Sequence, residues 1–412
     1  MEYQEALAFI RELTKFGYNF GLSRILKLLQ LLGNPEESFK SVHVGGTNGK
    51  GSVCAFTASV LQAAGYKTGL FTSPHLHSYT ERIRVNGENI SKDDVVKYIL
   101  VIKPLLEQMV SEGYEHPTEF EISTAMAFKY FADLKVDIAV IEVGLGGAID
   151  STNVIKPLVT AVTNVSFDHM DYLGTTIKEI TEVKAGIIKE GIPCVTAAEG
   201  EALEIICKRC EEASAPLSII DKDDATDLHI NLPLAGRHQI INAKVADGII
   251  SLLQDRGFKI CHQAIMDGFA LVRWPARLEI ISAEPLIILD AAHNHAGALA
   301  LSTVLPQFIS HKAVFLVGIL GDKERYKMLT ELVPFMASAV VTKPLSPRAG
   351  DWQGVKVFLD ANGVTSRNEE NILTALGTAL CMAKENNLPL VITGSIYMVA
   401  TARASLLSIE QE

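Results

Sequence analysis

Apolar residues first recur at helical spacing, with Ile25, Leu28, Leu29 and Leu32 leading to a stop at Gly33-Asn34-Pro35. Short apolar runs then alternate with amphipathic stretches. Strands are expected at Ser41–Val44, Tyr66–Phe71, Ile138–Val143, Val159–Asn164 and Cys194–Ala197. Helical patterns over about 52–64, 93–112, 121–134, 177–189 and 202–213 separate them. A second series follows Arg273-Trp274-Pro275, with strands expected at Leu286–Leu289, Ala313–Val317, Ala339–Thr342, Val355–Phe358 and Leu390–Thr393. Alternating strands and helices imply parallel βαβ units, whose ligand loops collect at the carboxyl ends of the strands. The pattern predicts an α/β chain of two domains, 1–277 with a mostly parallel sheet and a smaller, Rossmann-like 278–412. Their boundary falls near Trp274 to Leu278.

Composition narrows the class. A chain of 412 residues, 48% hydrophobic and 21% charged, is globular and too long for one ordinary core. Its net charge of -11 argues against nonspecific nucleic-acid binding, which needs clustered Lys and Arg. No basic and apolar leader follows Met1, and no apolar run reaches the roughly 18 residues of a membrane span. Six cysteines form no disulfide framework, so a cytoplasmic chain is expected, without membrane contact. Cys207 and Cys210 read as residues of one helix rather than half of a zinc site.

One turn changes the picture. Gly45-Gly46-Thr47-Asn48-Gly49-Lys50-Gly51-Ser52 joins the first strand to a helix. Glycines let backbone amides point inward, and the helix N-terminus adds partial positive charge, the makings of a phosphate cradle. Lys50 can reach the terminal phosphates, and the Ser52 hydroxyl can ligate Mg²⁺. The first domain is therefore of the P-loop ATPase type. Glu142, ending an apolar strand, supplies the hard oxygen that Mg²⁺ prefers.

The form of this loop, with Gly51 after the lysine, resembles the ATP loop of the Mur ligase superfamily. Further motifs resemble its folylpolyglutamate and dihydrofolate synthase branch. They are Thr72-Ser73-Pro74-His75-Leu76, Glu81 to Gly87, Thr118-Glu119-Phe120-Glu121, Glu142 to Gly147 and Asp150-Ser151-Thr152-Asn153. Asp168-His169-Met170, Glu182 to Ile187, Gly236-Arg237-His238-Gln239, Trp274 to Glu279, Asp290 to Asn294 and Thr393 to Tyr397 complete the set.

That resemblance implies an ATP-dependent ligase joining L-glutamate to a folate-type acid through an acyl phosphate. It implies ATP contacts from Gly46, Thr47, Asn48, Gly49, Lys50, Gly51, Ser52, Asn242, Arg277 and Asp290. Two Mg²⁺ ions would be held with Ser52, Glu142 and His169, and a carbamate would form on Lys184. Pro74, Arg82, Thr118, Phe120, Asp150 and Ser151 match acid- and pterin-holding positions; His293, Ser395 and Tyr397 match glutamate contacts. Lys50, Lys184, Asp290 and His293 are the expected catalytic set. Partners are small molecules (ATP, L-glutamate, dihydropteroate or a reduced folate), and the chain is expected to be a monomer. Three positions depart from the family pattern: Ala148 replaces Arg, and Ala276 and Ala291 each replace Gly. Another Mur-type amino-acid ligase and a non-catalytic nucleotide-binding relative remain as alternatives.

Overall fold

The computed structural model describes residues 1–17, 21–222 and 232–412. Helices Tyr3–Glu12 and Ser23–Leu31 flank residues 18–20, the part of the expected N-terminal helical stretch that lies outside the described residues.

The first sheet contains β1 (Lys40–Gly45), β2 (Thr68–Phe71), β3 (Ile83–Val85), β4 (Glu88–Asn89), β5 (Ile138–Glu142), β6 (Val159–Val162), β7 (Cys194–Thr196) and β8 (Leu217–Ile219). Their order is β4-β3-β2-β5-β1-β6-β7-β8. It is parallel except for the β2-β3-β4 edge. There Asn86 and Gly87, at φ 52° and 82°, make the tight reversal between β3 and β4. β1 lies between β5 and β6, so the turns leaving these three strands open side by side at one edge. β5 is buried along its whole length, as a parallel strand covered by helices on both faces must be.

The second sheet contains β9 (Glu279–Ala283), β10 (Leu286–Asp290), β11 (Ala313–Val317), β12 (Met336–Thr342), β13 (Thr365–Glu369) and β14 (Leu390–Thr393), in the order β13-β12-β11-β14-β10-β9. Only the β9–β10 pair is antiparallel.

One expected strand is wrong. Val355–Phe358 lies inside a helix, Gly354–Ala361, and the strand of that region is β13. Val355 and Leu359, four apart, are the buried pair, while Val357 is 70% exposed. A four-residue window stopped short of Leu359 and so concealed the helical period.

Candidate functional site

A cleft of about 1140 Å³ runs between the turns of the two sheets. Every site residue expected from the sequence lines it except Gly46. Gly46 instead sits behind the phosphate loop at φ 132°, where an added Cβ would fall 2.0 Å from Thr163 Oγ1. Gly49, at φ 82°, precedes the helix Lys50–Ala63, and a Cβ there would strike Asn242 Oδ1 at 2.2 Å. Both positions need glycine, one for the turn and one for the approach of Asn242. Trp274 covers the loop's other side, 2.9 Å from where a Gly51 Cβ would stand.

Two lysines meet at this loop. Lys50 Nζ donates to the carbonyls of Gly46 (3.2 Å) and Thr47 (3.0 Å). Lys184, only 4% exposed, donates to Gly46 O at 2.9 Å. Burial, reinforced by the charge of Lys50, lowers the Lys184 amine to about 7.

Glu142, at the end of β5, is 5% exposed, and burial pushes its carboxyl up to about 7 despite Lys50 and the Ser73 amide, which donates to Oε2 at 3.1 Å. A carboxylate so enclosed ionises readily only beside a cation. The buried Ser52 hydroxyl and the His169 imidazole line the same cleft, and the carboxylate and hydroxyl oxygens are donors of the kind Mg²⁺ takes. His169 itself takes a left-handed φ of 51°, and burial lowers its imidazole to about 3, leaving a neutral nitrogen donor.

The pterin-matching residues line the same cleft. Phe120 stacks on Phe71 with ring centres 5.8 Å apart and closes over Gly144. Thr118 caps the helix Glu119–Asp133, its hydroxyl donating to Glu121 Oε2 at 2.9 Å. Asp150 Oδ2 accepts the Leu145 amide (2.7 Å) and Oδ1 accepts the Thr152 amide (3.0 Å). Its carboxylate therefore shapes the Gly144–Thr152 turn. Ser151 pairs with the Thr124 hydroxyl at 2.8 Å, and Arg82 donates to Glu119 (2.8 Å) and His75 Nδ1 (2.9 Å).

The second sheet supplies the far wall. Asp290, ending β10, accepts the amides of Leu278 and Ala292, each at 2.8 Å, and so ties the incoming chain to the turn carrying His293. Ser395 begins the helix Ile396–Leu407; it is 1% exposed, and its hydroxyl has no hydrogen-bond partner among the described residues. An orphan hydroxyl at a helix N-terminus that lines the cleft is suited to a carboxylate. Tyr397, more open, stands beside it at 37% exposure.

Sequence reasoning missed the residues that join the walls. Asp168 receives Lys323, accepts Asn294 Nδ2 at 2.9 Å and lies 3.6 Å from His293 Nε2. Burial alone would raise its carboxyl, but His293, His169 and Lys323 hold it well below the usual carboxylate range. Asn48 exchanges side-chain hydrogen bonds with Asn294 at 3.0 and 3.1 Å. Asp168 and Asn294 lay within quoted motifs; Lys323 carried no local signal.

Residues 44–213 match the family model described as the Mur ligase middle domain. The chain is 36% identical to the dihydrofolate synthase/folylpolyglutamate synthase of Bacillus subtilis, over 98% of this chain and 99% of that one. A Mycobacterium tuberculosis folylpolyglutamate synthase solved with ADP and AMPPCP superposes with a TM-score of 0.90 at 33% identity, covering 100% of both chains. A solved folylpolyglutamate synthase complex with AMPPCP and folate gives 0.85 at 33% identity, over 99% of this chain and 100% of that one. With likeness running along the whole chain and two α/β sheets meeting at one phosphate-loop cleft, the chain belongs to the folylpolyglutamate and dihydrofolate synthase family.

Proposed function

We propose that this protein is an ATP-dependent ligase that joins L-glutamate to a folate-type acid, and that it accepts both dihydropteroate and a reduced folate. The observation that carries this reading is the single cleft lined by the phosphate loop, the Thr118–Ser151 pocket and the Ser395 helix terminus. ATP is assigned to residues 1–277 and the incoming glutamate to residues 278–412, with Asn242 and Arg277 closing on the nucleotide.

A carboxylate resists an amine because its oxygen leaves poorly. Attack of the acid's oxygen on the γ-phosphorus of ATP forms an acyl phosphate and releases ADP. The neutral glutamate amine then adds to the acyl carbon, loses a proton, and phosphate departs. The chain's task is positioning and charge neutralisation. Lys50 offsets phosphate charge, Ser395 and Tyr397 hold glutamate carboxylate, and Asp290 fixes the turn that presents His293. Ser52, Glu142 and His169 would hold Mg²⁺, two ions in all, which supply Lewis-acid neutralisation of the γ-phosphate. Lys184 is suited to carbamylation, since a neutral, enclosed amine can add to CO₂ and release a proton.

A monomer is supported by a cleft assembled from one chain, and a cytoplasmic setting by six unpaired thiols. Among the described residues no helix is long and apolar enough to cross a membrane. The test is direct. Purified protein is incubated with ATP, Mg²⁺, glutamate and each acceptor in turn, and the products are weighed. Folate extension without dihydrofolate from dihydropteroate removes the dual acceptor; no glutamate addition to either acid removes the ligase reading.

A further inference from the structure

The turn after β2 is fastened at both ends. At its start the Ser73 amide holds Glu142. A few residues on, Leu76 enters the apolar core of the second sheet, beside Ala276, Leu289, Ala291 and Met398. His77 follows, and its Nε2 accepts a hydrogen bond from Arg403 Nη1 at 2.8 Å. Arg403 donates to Glu279 as well, Nε to Oε2 and Nη2 to Oε1, both at 2.8 Å. Glu279 Oε2 also accepts the Ala276 amide at 2.8 Å.

Three distant parts of the chain thus converge on one guanidinium: the turn after β2, the segment entering β9, and the helix whose first turn carries Tyr397. The turn is stiffened locally, because Glu81 accepts the amides of Leu76, His77 and Ser78 at 2.8, 2.9 and 3.0 Å. Glu412 adds a further tether, donating its amide to His77 O at 3.0 Å. Apolar contact at Leu76 has no preferred direction and tolerates sliding. A planar fork that binds a carboxylate with two bonds and an imidazole with a third fixes direction as well as distance.

We propose that Arg403 is a positioning residue that couples the Ser73–Arg82 turn, through His77 and Glu279, to the helix that presents the amine substrate. Ser73, Pro74, His75 and Arg82 line the cleft where the acid is to bind, whereas Arg403 does not. Its effect is indirect: it keeps the acid's wall and the amine's wall in one register. The inference rests on the ligase reading of that cleft.

Three variants test it: Arg403→Ala, Arg403→Lys and His77→Leu. In Arg403→Ala, kcat/KM for the folate acceptor is expected to fall about ten- to hundred-fold, with KM for ATP within about two-fold of the parent. Arg403→Lys restores only part, since an ammonium cannot reproduce the fork. Adding His77→Leu to Arg403→Ala gives little further loss. Independently of activity, amide exchange over residues 76–82 accelerates in Arg403→Ala while residues 44–52 exchange as before. Unchanged exchange over 76–82, or acceptor and ATP parameters falling together, overturns the proposal. Should Arg403→Ala not fold, His77→Leu removes the same contact from the loop side and gives both readouts. A wild-type protein that adds no glutamate defeats the ligase reading, while the exchange comparison still decides the coupling.

Discussion

The phosphate-loop edge of the first sheet and the β10–β14 edge of the second share parallel topology but treat charge differently. In the first, Lys50 bonds to carbonyls of its own loop, Lys184 reaches the same loop at Gly46 O from the helix Ile177–Ala185, and Glu142 is held by the neighbouring Ser73 amide. In the second, Lys323, His293 and Asn294 meet partners on the other wall, Asp168 and Asn48. The first edge is preorganised within its own sheet, as binding a triphosphate requires. The second, its turn held by Asp290, completes the side-chain partners of Lys323, His293 and Asn294 by facing the first, which suits a substrate whose amine must meet an acyl phosphate formed opposite.

The largest expected effect comes from breaking the cross-cleft pair. Lys323 and Asp168 side chains are 5% and 4% exposed, so Lys323→Ala leaves a buried carboxylate without its buried ammonium partner. A loss of about 3–5 kcal/mol is expected. Chemical denaturation reads it directly, and Asp168→Asn added to Lys323→Ala should recover much of the loss. A Lys323→Ala protein as stable as the parent would mean that the walls are not held together by this pair.

Lys50→Ala tests the other edge. Lys50 contributes to the phosphate site and not to a core, so the fold should survive while turnover at saturating ATP falls about 10²–10³-fold. Near-normal turnover would remove Lys50 from the chemistry. Together these two variants separate an edge that matters for catalysis from one that matters for assembly.

That separation also explains what the sequence made legible. The phosphate loop is local, its glycines, lysine and hydroxyl lying within eight residues, and it was found. Asp168 and Lys323 lie 155 residues apart, with no local sign of their meeting. The same holds for the strands. Central β5, β11 and β14 are buried throughout and stand out as apolar runs. Edge strand β13, Thr365–Glu369, buries only Ser366 and was passed over for the apolar segment before it. Edges are polar because an apolar edge would pair with other chains, so the features that protect them also hide them. Lys184 was legible only through the family resemblance: its helix is amphipathic, and no local pattern shows that its side chain faces the phosphate loop.

Lys184 also gives the comparison a pH test. Its amine falls to about 7 in the folded chain from an ordinary 10.5. Between those values the folded state binds fewer protons than the unfolded state, so stability rises with pH across that window. Below pH 7 the full penalty for burying the charge is present. Lys184→Met should therefore raise Tm by a few degrees at pH 6, with the gain fading towards pH 10, as followed by thermal melts. Ligation by the parent should rise with pH through 7 and weaken in CO₂-depleted buffer, because only the neutral amine forms a carbamate. A rate indifferent to both would take Lys184 out of the mechanism, and a Tm gain independent of pH would deny the burial penalty.

The smallest effect is expected at the junction between the two regions. Ala276 has φ 58°, a conformation that favours glycine, and the family resemblance places glycine there. Relieving the left-handed backbone strain by Ala276→Gly should stabilise the fold by about 1–2 kcal/mol. Opposing this, the Ala276 methyl is buried, 1% exposed, among Leu76, Leu289 and Met398, and losing one buried methyl costs about 0.8 kcal/mol. Glycine also loosens the unfolded chain, a further loss of about 0.4–1 kcal/mol. These contributions nearly cancel, so Tm should move by no more than about 2 °C. Alanine can thus stand at this glycine position because its methyl joins the apolar contact by which Leu76 holds the two regions together. Denaturation of Ala276→Gly and of Leu76→Ala separates the contributions. If Ala276→Gly is clearly stabilising, strain dominates and the methyl is idle. If it is clearly destabilising, and less so in a Leu76→Ala background, the methyl acts through Leu76, and the junction is held by packing rather than by backbone geometry.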